Sequence, residues 1–337
     1  MTSKKILHKW EDLQEDYKDC LLIGNGASIA FNSQFVYDSL YEEAINRKII
    51  SDDAQKVFAG FNVKDFEKVL ELVSAAQAVN SALEIQDNKT ADVYKNVQNG
   101  LISIVQAIHP DQREVVSKLE KAAVFSRQFS TILSLNYDLI LYWMITYANE
   151  ENPKIKFKDC FSNSGNIFHN DWRELKSPYR KEEKSILCFY PHGNLSLVTL
   201  SGEETKVTVK NSEDYLLDAI VKKWKQGYYQ PLYVSEGTPE QKLTSIKKSS
   251  YLREIYNNVL PDVGKTLVIY GSSLQETDGH IFRTLGQGRI SKIAVSMYNP
   301  KDFEAESAEI EYKLKRHNKN QVEICFFDSE SKGAWIY

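Results

Sequence analysis

The chain has 337 residues, 42% of them hydrophobic, enough for one large α/β domain with insertions or for two domains. Its 42 basic and 46 acidic side chains leave a formal net charge of -4, so nothing global steers it toward DNA, RNA or anionic lipid, and no direct nucleic-acid binding is indicated. Cys20, Cys160, Cys188 and Cys325 are scattered without a CxxC pair and read as reduced thiols of a cytoplasmic protein, not a disulfide frame or zinc site.

The charged stretch from Met1 to Trp10 lacks the apolar run of a signal peptide. No run of about 18 apolar residues predicts a membrane span. Cys20-Leu21-Leu22-Ile23 reads as a buried strand that breaks into Gly24-Asn25-Gly26-Ala27-Ser28, with a helix starting near Ser28. Residues 36–125 are expected to be a helical insertion, because Phe66, Val69, Leu70 and Val73, then Val97, Leu101, Ile104, Val105 and Ile108, follow helical spacing. Ser130 to Leu135 is the next buried strand, running into Asn136-Tyr137-Asp138 and an apolar helix with Leu139, Ile140, Trp143 and Met144.

Residues 149–185 are polar and are read as a loop-rich insertion, either a lid or an inert loop. Ile186 to Tyr190 is a strand ending at Pro191-His192-Gly193. A smaller insertion of about 195–235 begins with a hairpin, Leu195 to Leu200 and Lys206 to Val209, around Ser201-Gly202. A helix near 240–260 precedes the strand Thr266 to Tyr270, which opens into Gly271-Ser272-Ser273. Ile290 to Met297 and Val322 to Phe327 are two more strands, with helices at 278–286 and 302–317. Strands alternating with helices predict an α/β, Rossmann-like, doubly wound and mostly parallel sheet in a single domain, with the large helical insertion after its first strand.

Four strands thus end in a polar or glycine-rich turn, and ligands of open parallel sheets bind beyond the carboxyl ends of the strands. Gly24-Asn25-Gly26-Ala27-Ser28 suits a phosphate, because glycine lets backbone approach and a helix N-terminus favours an anion; an ordinary strand–helix turn explains it equally. Position 29 is Ile, so a full GxGxxG is absent. Asn136 and Asp138 can bond sugar hydroxyls, an amide or a water, or cap the following helix. His192 offers an imidazole for proton transfer near neutral pH, or serves structure, the reading given to His8, His109, His169 and His317. Asp278 and His280 could line the same crevice, and helix capping explains Asp278 as well. Lys242, Arg253 and Arg283 are within the range of residues that reach phosphates, with surface solvation the default for each.

Taken together, the turns resemble the sirtuin family. Gly24-Asn25-Gly26-Ala27-Ser28 resembles its Gly-Ala-Gly-x-Ser loop, and Ser134-Leu135-Asn136-Tyr137-Asp138 is similar to its Thr-Gln-Asn-x-Asp segment. His192-Gly193 matches its His-Gly pair, and Gly271-Ser272-Ser273-Leu274 resembles its Gly-Thr-Ser-Leu segment. The four come in the family's order, each after a predicted strand. Asn25 and Leu135 replace the more usual alanine and glutamine, and the two CxxC pairs of the deacylase zinc ribbon are absent. The helical insertion, with Asp65-Phe66-Glu67 opening an apolar helix, looks more like the bacterial sirtuin-like NAD hydrolases of antiphage defence.

What the resemblance implies is specific. Gly24, Asn25, Gly26, Ala27 and Ser28 would line the NAD diphosphate, and Gly193, beside the catalytic histidine, would also belong to the cofactor-binding set. Gly271, Ser272 and Ser273 would hold the adenosine side, with Asn299 near the adenine or its ribose. Asn136 would position the nicotinamide ribose and the attacking water, Asp138 would contact the nicotinamide end or order Asn136, and His192 would bond ribose hydroxyls and act as base. NAD would be substrate, cleaved to nicotinamide and ADP-ribose without a metal, in antiphage defence by NAD depletion. The alternatives are a non-catalytic sensor or scaffold that binds NAD or ADP-ribose, and a protein ADP-ribosyltransferase or deacylase. Because NAD depletion harms the cell, a homo-oligomer or a complex with a regulatory partner protein is expected, with the 36–125 block as assembly surface or simply as core.

Overall fold

The computed structural model describes residues 5–35, 40–64, 66–161, 166–200, 202–209, 215–226, 229–234 and 239–337. Its strands in chain order are β1 (Leu7–His8), β2 (Cys20–Ile23), β3 (Thr131–Ser134), β4 (Ile155–Lys158), β5 (Lys184–Phe189), β6 (Gly193–Leu200), β7 (Glu203–Lys206), β8 (Tyr229–Tyr233), β9 (Thr266–Tyr270), β10 (Lys292–Met297) and β11 (Glu323–Asp328). Eight of them form one sheet in the order β1-β11-β10-β9-β2-β3-β5-β4. Every pairing in that sheet is parallel. Strands β2 and β3 are buried at every residue, as unbroken apolar runs must be when helices cover both faces. The fold is the expected Rossmann-like α/β sheet.

From β2 the chain moves to β3 and β5 on one side, then returns to β9 on the other side of β2 and continues outward to β10 and β11. The strand order therefore reverses between β2 and β9. A sheet of this kind leaves a crevice beyond the carboxyl ends of its strands at that switch point.

Helices Leu40–Asn46, Asp52–Gly60, Phe66–Ala82, Lys89–Ile108 and Gln112–Ser126 occupy the long connection from β2 to β3. The fourth buries Val93, Val97, Leu101, Ile104, Val105 and Ile108, the stripe its spacing predicts. Asp65, expected to open the third helix, lies outside the described residues, and so does Ser201 of the expected hairpin.

Several elements differ from expectation. The two-residue β1 precedes the strand expected to be first and extends the sheet beside β11. The 149–185 segment contains β4, which lengthens the sheet past β5, pairing Phe157 with Ile186. Its sequence, Ile-Lys-Phe-Lys, reads as polar because only Phe157 is fully buried at that edge. The same segment is anchored by Trp172, buried edge-on against Phe189 with its indole N–H donating to Glu254 at 3.0 Å. The hairpin pairs β6 with β7, three residues ahead of the expected second arm, and β8 adds a third antiparallel strand on the other side of β6. The helix after the first turn starts at Asn25, not Ser28. The helix expected near 240–260 breaks into Pro239–Lys248, Ser250–Glu254 and a π turn at Ile255–Val259.

Candidate active site

The turns after β2 and β9 meet across the switch point. Gly24 N–H donates to the Tyr270 carbonyl at 2.9 Å, and Gly26 N–H donates to the Gly271 carbonyl at 2.7 Å. A side chain on Gly24 would fall 2.7 Å from the Gly271 carbonyl oxygen, and one on Gly26 would fall 2.8 Å from Gly271 Cα. Gly271 has φ +67°, and a Cβ there would lie 2.3 Å from the Ala27 nitrogen. These glycines are needed for two backbones to touch, a demand separate from ligand approach. Ala27 N–H also bonds the Gly24 carbonyl at 3.0 Å, so the amides of Gly24, Gly26 and Ala27 all have partners within the protein.

The turn after β3 closes over this pair. Asn136, 9% exposed, donates from Nδ2 to the Gly24 carbonyl at 2.9 Å and to Ser28 Oγ at 2.8 Å. Ser28 donates its hydroxyl to Asp138 Oδ2 at 2.5 Å, and Asp138 Oδ1 accepts the Ile140 N–H at 2.8 Å. Asp138 therefore serves the start of the helix Ile140–Glu151 and the Ser28–Asn136 chain at once. Burial pushes its carboxyl up to about 6, against the pull of the Ser28 and Ile140 hydrogen bonds.

Asn194 was not anticipated. Wholly buried, it donates from Nδ2 to the Asp138 carbonyl, while its Oδ1 accepts from Ser196 N–H and Oγ–H at 2.8 and 2.7 Å. The available signal was its place directly after His192-Gly193. It ties the β6 hairpin to the Asn136-Tyr137-Asp138 turn, as does Tyr137, whose ring stacks on Tyr233 of β8 at 5.3 Å.

His192 is buried. Burial holds its imidazole down to about 3, despite the attraction of Asp278. Its Nε2 lies 3.1 Å from Nε2 of His280, and the rings stack at 5.2 Å. Gly193, at φ +77°, has packing reasons of its own: a Cβ would meet the Leu232 carbonyl oxygen at 2.2 Å, where β6 crosses β8. Lys242 is not a solvated surface lysine; it is 6% exposed and pairs with Asp278 at 2.8 Å.

The structure thus gathers Gly24, Gly26, Ala27, Ser28, Asn136, Asp138, His192, Gly271 and Ser272 at the carboxyl ends of β2, β3, β5 and β9. Ser272 accepts the Leu274 N–H at 3.2 Å. Three residues stand outside these contacts: Asn25 is exposed and donates to the Phe35 carbonyl at 3.2 Å, Ser273 is exposed, and Asn299 is exposed after β10 in a left-handed conformation, φ 40°. A cavity of about 700 Å³ lies elsewhere, beside β4, with Tyr142, Lys156, Lys158, Asp159, His169 and Lys206 in its wall, and includes none of the expected site residues. Among the described residues no group of three or more His, Cys, Asp or Glu side chains is arranged to hold a metal ion, and no helix is long and apolar enough to cross a membrane.

Residues 21–335 match the model of a family described as a domain of unknown function, DUF4917. The chain belongs to that family. No curated protein matches the chain. A solved structure described as "Structural Basis for the Mechanism and Regulation of Sir2 Enzymes" is similar at a TM-score of 0.36 and 10% identity, over 90% of this chain and 95% of that one. At that TM-score the likeness carries no argument about activity.

Proposed function

We propose that the chain cleaves NAD between nicotinamide and ribose, with the β2–β9 crevice as its site. The observation that carries this reading is the buried chain Gly24–Asn136–Ser28–Asp138 at the switch point, with His192 buried in the turn after the neighbouring strand β5. Nicotinamide is a cationic leaving group. It departs with the electron pair of the glycosidic bond and leaves an oxocarbenium-like ribose, so the site must hold the sugar, tolerate developing positive charge and admit one water. Asn136 has the donor and acceptor needed to orient ribose and water, and Asp138, where ionised, favours the positive charge. Water's oxygen bonds the anomeric carbon and its proton passes to His192 and then to solvent, giving nicotinamide, ADP-ribose and a proton.

In this reading the Gly24–Ser28 and Gly271–Ser273 turns face the diphosphate and adenosine, Gly193 lets the chain turn sharply beside His192, and Asn299 reaches the adenine end. NAD is substrate; the likeness of the helical insertion to that of the bacterial sirtuin-like NAD hydrolases supports a role in antiphage defence, and control by self-assembly or by a regulatory protein follows from the damage that unchecked NAD loss would do.

One observation favours a second reading, a sensor that binds NAD or ADP-ribose without turnover. His192 Nε2, the nitrogen through which the base would act, already has a protein partner. Chromatography of NAD incubated with the protein, resolving nicotinamide, ADP-ribose and cyclic products, separates the two: the enzyme releases nicotinamide, and the sensor binds NAD and releases none. Label transferred from NAD to protein would instead indicate ADP-ribosyl transfer.

A further inference from the structure

His280 is a buried titratable group that the reaction outlined above does not use. It lies in the first turn of the helix Gly279–Leu285, which follows the β9 turn, and is 3% exposed, as is His192. Their Nε2 atoms are 3.1 Å apart. Two imidazole nitrogens at that distance need one proton between them, so one ring donates and the other accepts. With that proton on His280 Nε2, the contact fills the one lone pair of His192 Nε2 through which His192 would act as base.

A second contact anchors the segment that carries His280. Asp278, two residues before it, is tied to the buried Lys242 of the helix Pro239–Lys248 at 2.8 Å. The charged and titratable groups around the ring are Asp278, Lys242, His192 and Arg283, with Tyr256 stacked at 6.4 Å. Burial and Lys242 disfavour a second proton on the pair, and Asp278 favours it.

Resting on the NAD-cleavage reading of this site, we propose that His280 is a latch: it occupies His192 Nε2 in the resting molecule, and a substrate hydroxyl or water must take its place before His192 can work as a base. Engagement of substrate then requires the segment that carries Asp278 and His280 to shift, and whatever disturbs the Lys242–Asp278 tie promotes it. The latch gives a potentially destructive activity an off state inside one chain.

The test compares wild type with His280→Phe, which keeps a ring and removes the donor, and His280→Gln, which keeps an N–H near the same place. His280→Leu serves if the phenyl ring prevents folding. Nitrogen-15 imidazole spectra follow His192 through a pH titration. In His280→Phe its pKa rises by about one unit, the worth of one hydrogen bond to the neutral ring, and in His280→Gln it stays near wild type. Nicotinamide release accelerates about tenfold in His280→Phe and not in His280→Gln. An unchanged His192 titration in His280→Phe overturns the latch. So does a fall in kcat at constant KM, which places His280 in the working machinery. If NAD survives every form of the protein, the proposed function fails, and the ring titration alone decides whether His280 controls His192.

Discussion

Gly26 and Gly271 touch backbone to backbone, with Gly26 N–H donating to the Gly271 carbonyl at 2.7 Å. This contact joins the first turn to the β9 turn and fixes the floor on which Asn136 and Ser28 sit. It also gives glycine a structural reason to occupy both positions, independent of any bound phosphate.

Gly271→Ala is expected to be destabilising by more than an ordinary turn substitution. Left-handed backbone costs a non-glycine residue about 1–3 kcal/mol, and the added Cβ would stand 2.3 Å from the Ala27 nitrogen, a backbone atom that cannot swing aside. Urea denaturation measures it. A loss under about 0.5 kcal/mol would mean that the two turns are not in contact.

Asp138 makes stability depend on pH in an unusual direction for a carboxylate. Its folded pKa is raised to about 6, so the folded state holds the proton more tightly than the unfolded state. Its contribution is fully present below the unfolded value near 4 and is lost as pH rises through about 6, an effect of about 2–3 kcal/mol. Asp138→Asn does not titrate, so its stability relative to wild type should rise between pH 4 and 7. Parallel pH profiles for the two proteins would contradict the assignment.

His109 acts in the opposite sense. It is buried between the rings of Phe35 and Trp143, and its Nε2 accepts the Leu139 N–H at 3.1 Å, at the start of the helix Ile140–Glu151. Burial lowers its pKa to about 4, so its contribution is present above the unfolded value near 6.5 and is lost as pH falls toward 4. His109→Gln keeps an acceptor but no titrating ring. Its urea midpoint should fall less than wild type's on acidification from pH 6.5 to 4.5, and an equal fall would count against this role.

Trp335 supports the first turn from below. Its indole N–H donates to the Ala27 carbonyl at 2.9 Å, and its ring packs against Phe31, Phe125 and Tyr270. Trp335→Ala should cost about 3–5 kcal/mol and speed amide exchange in residues 25–31. Stability lost with no change in exchange there would show that the turn does not depend on the tryptophan.

The parts of this fold legible in sequence were those with dense local signal. Leu21-Leu22-Ile23, Ile132-Leu133 and Leu267-Val268-Ile269 are buried on both faces, so apolar runs ending at a glycine or asparagine marked strand and turn together. Strand β1 was too short to register at two residues, β4 hid its single buried Phe157 between lysines, and β8 carries Pro231, which argues against a strand. In the candidate site, the clustering of Asn136, Asp138 and Ser28 follows from turns that each announce themselves. The pairing of His192 with His280 spans 88 residues, and that of Lys242 with Asp278 spans 36. Neither partner carries a local mark of the other, because such contacts are set by how the sheet brings distant turns together.

The measurement that tests the central claim most directly is a timed incubation of NAD with wild type, Asn136→Ala and His192→Ala, resolving nicotinamide and the ribose product, with thermal melts confirming that each variant is folded. The account predicts nicotinamide release by wild type and at least a hundredfold loss in both variants, about 3 kcal/mol of transition-state stabilisation each. Undiminished release by folded Asn136→Ala and His192→Ala would place the chemistry elsewhere, and intact NAD with folded wild type would contradict the proposed activity.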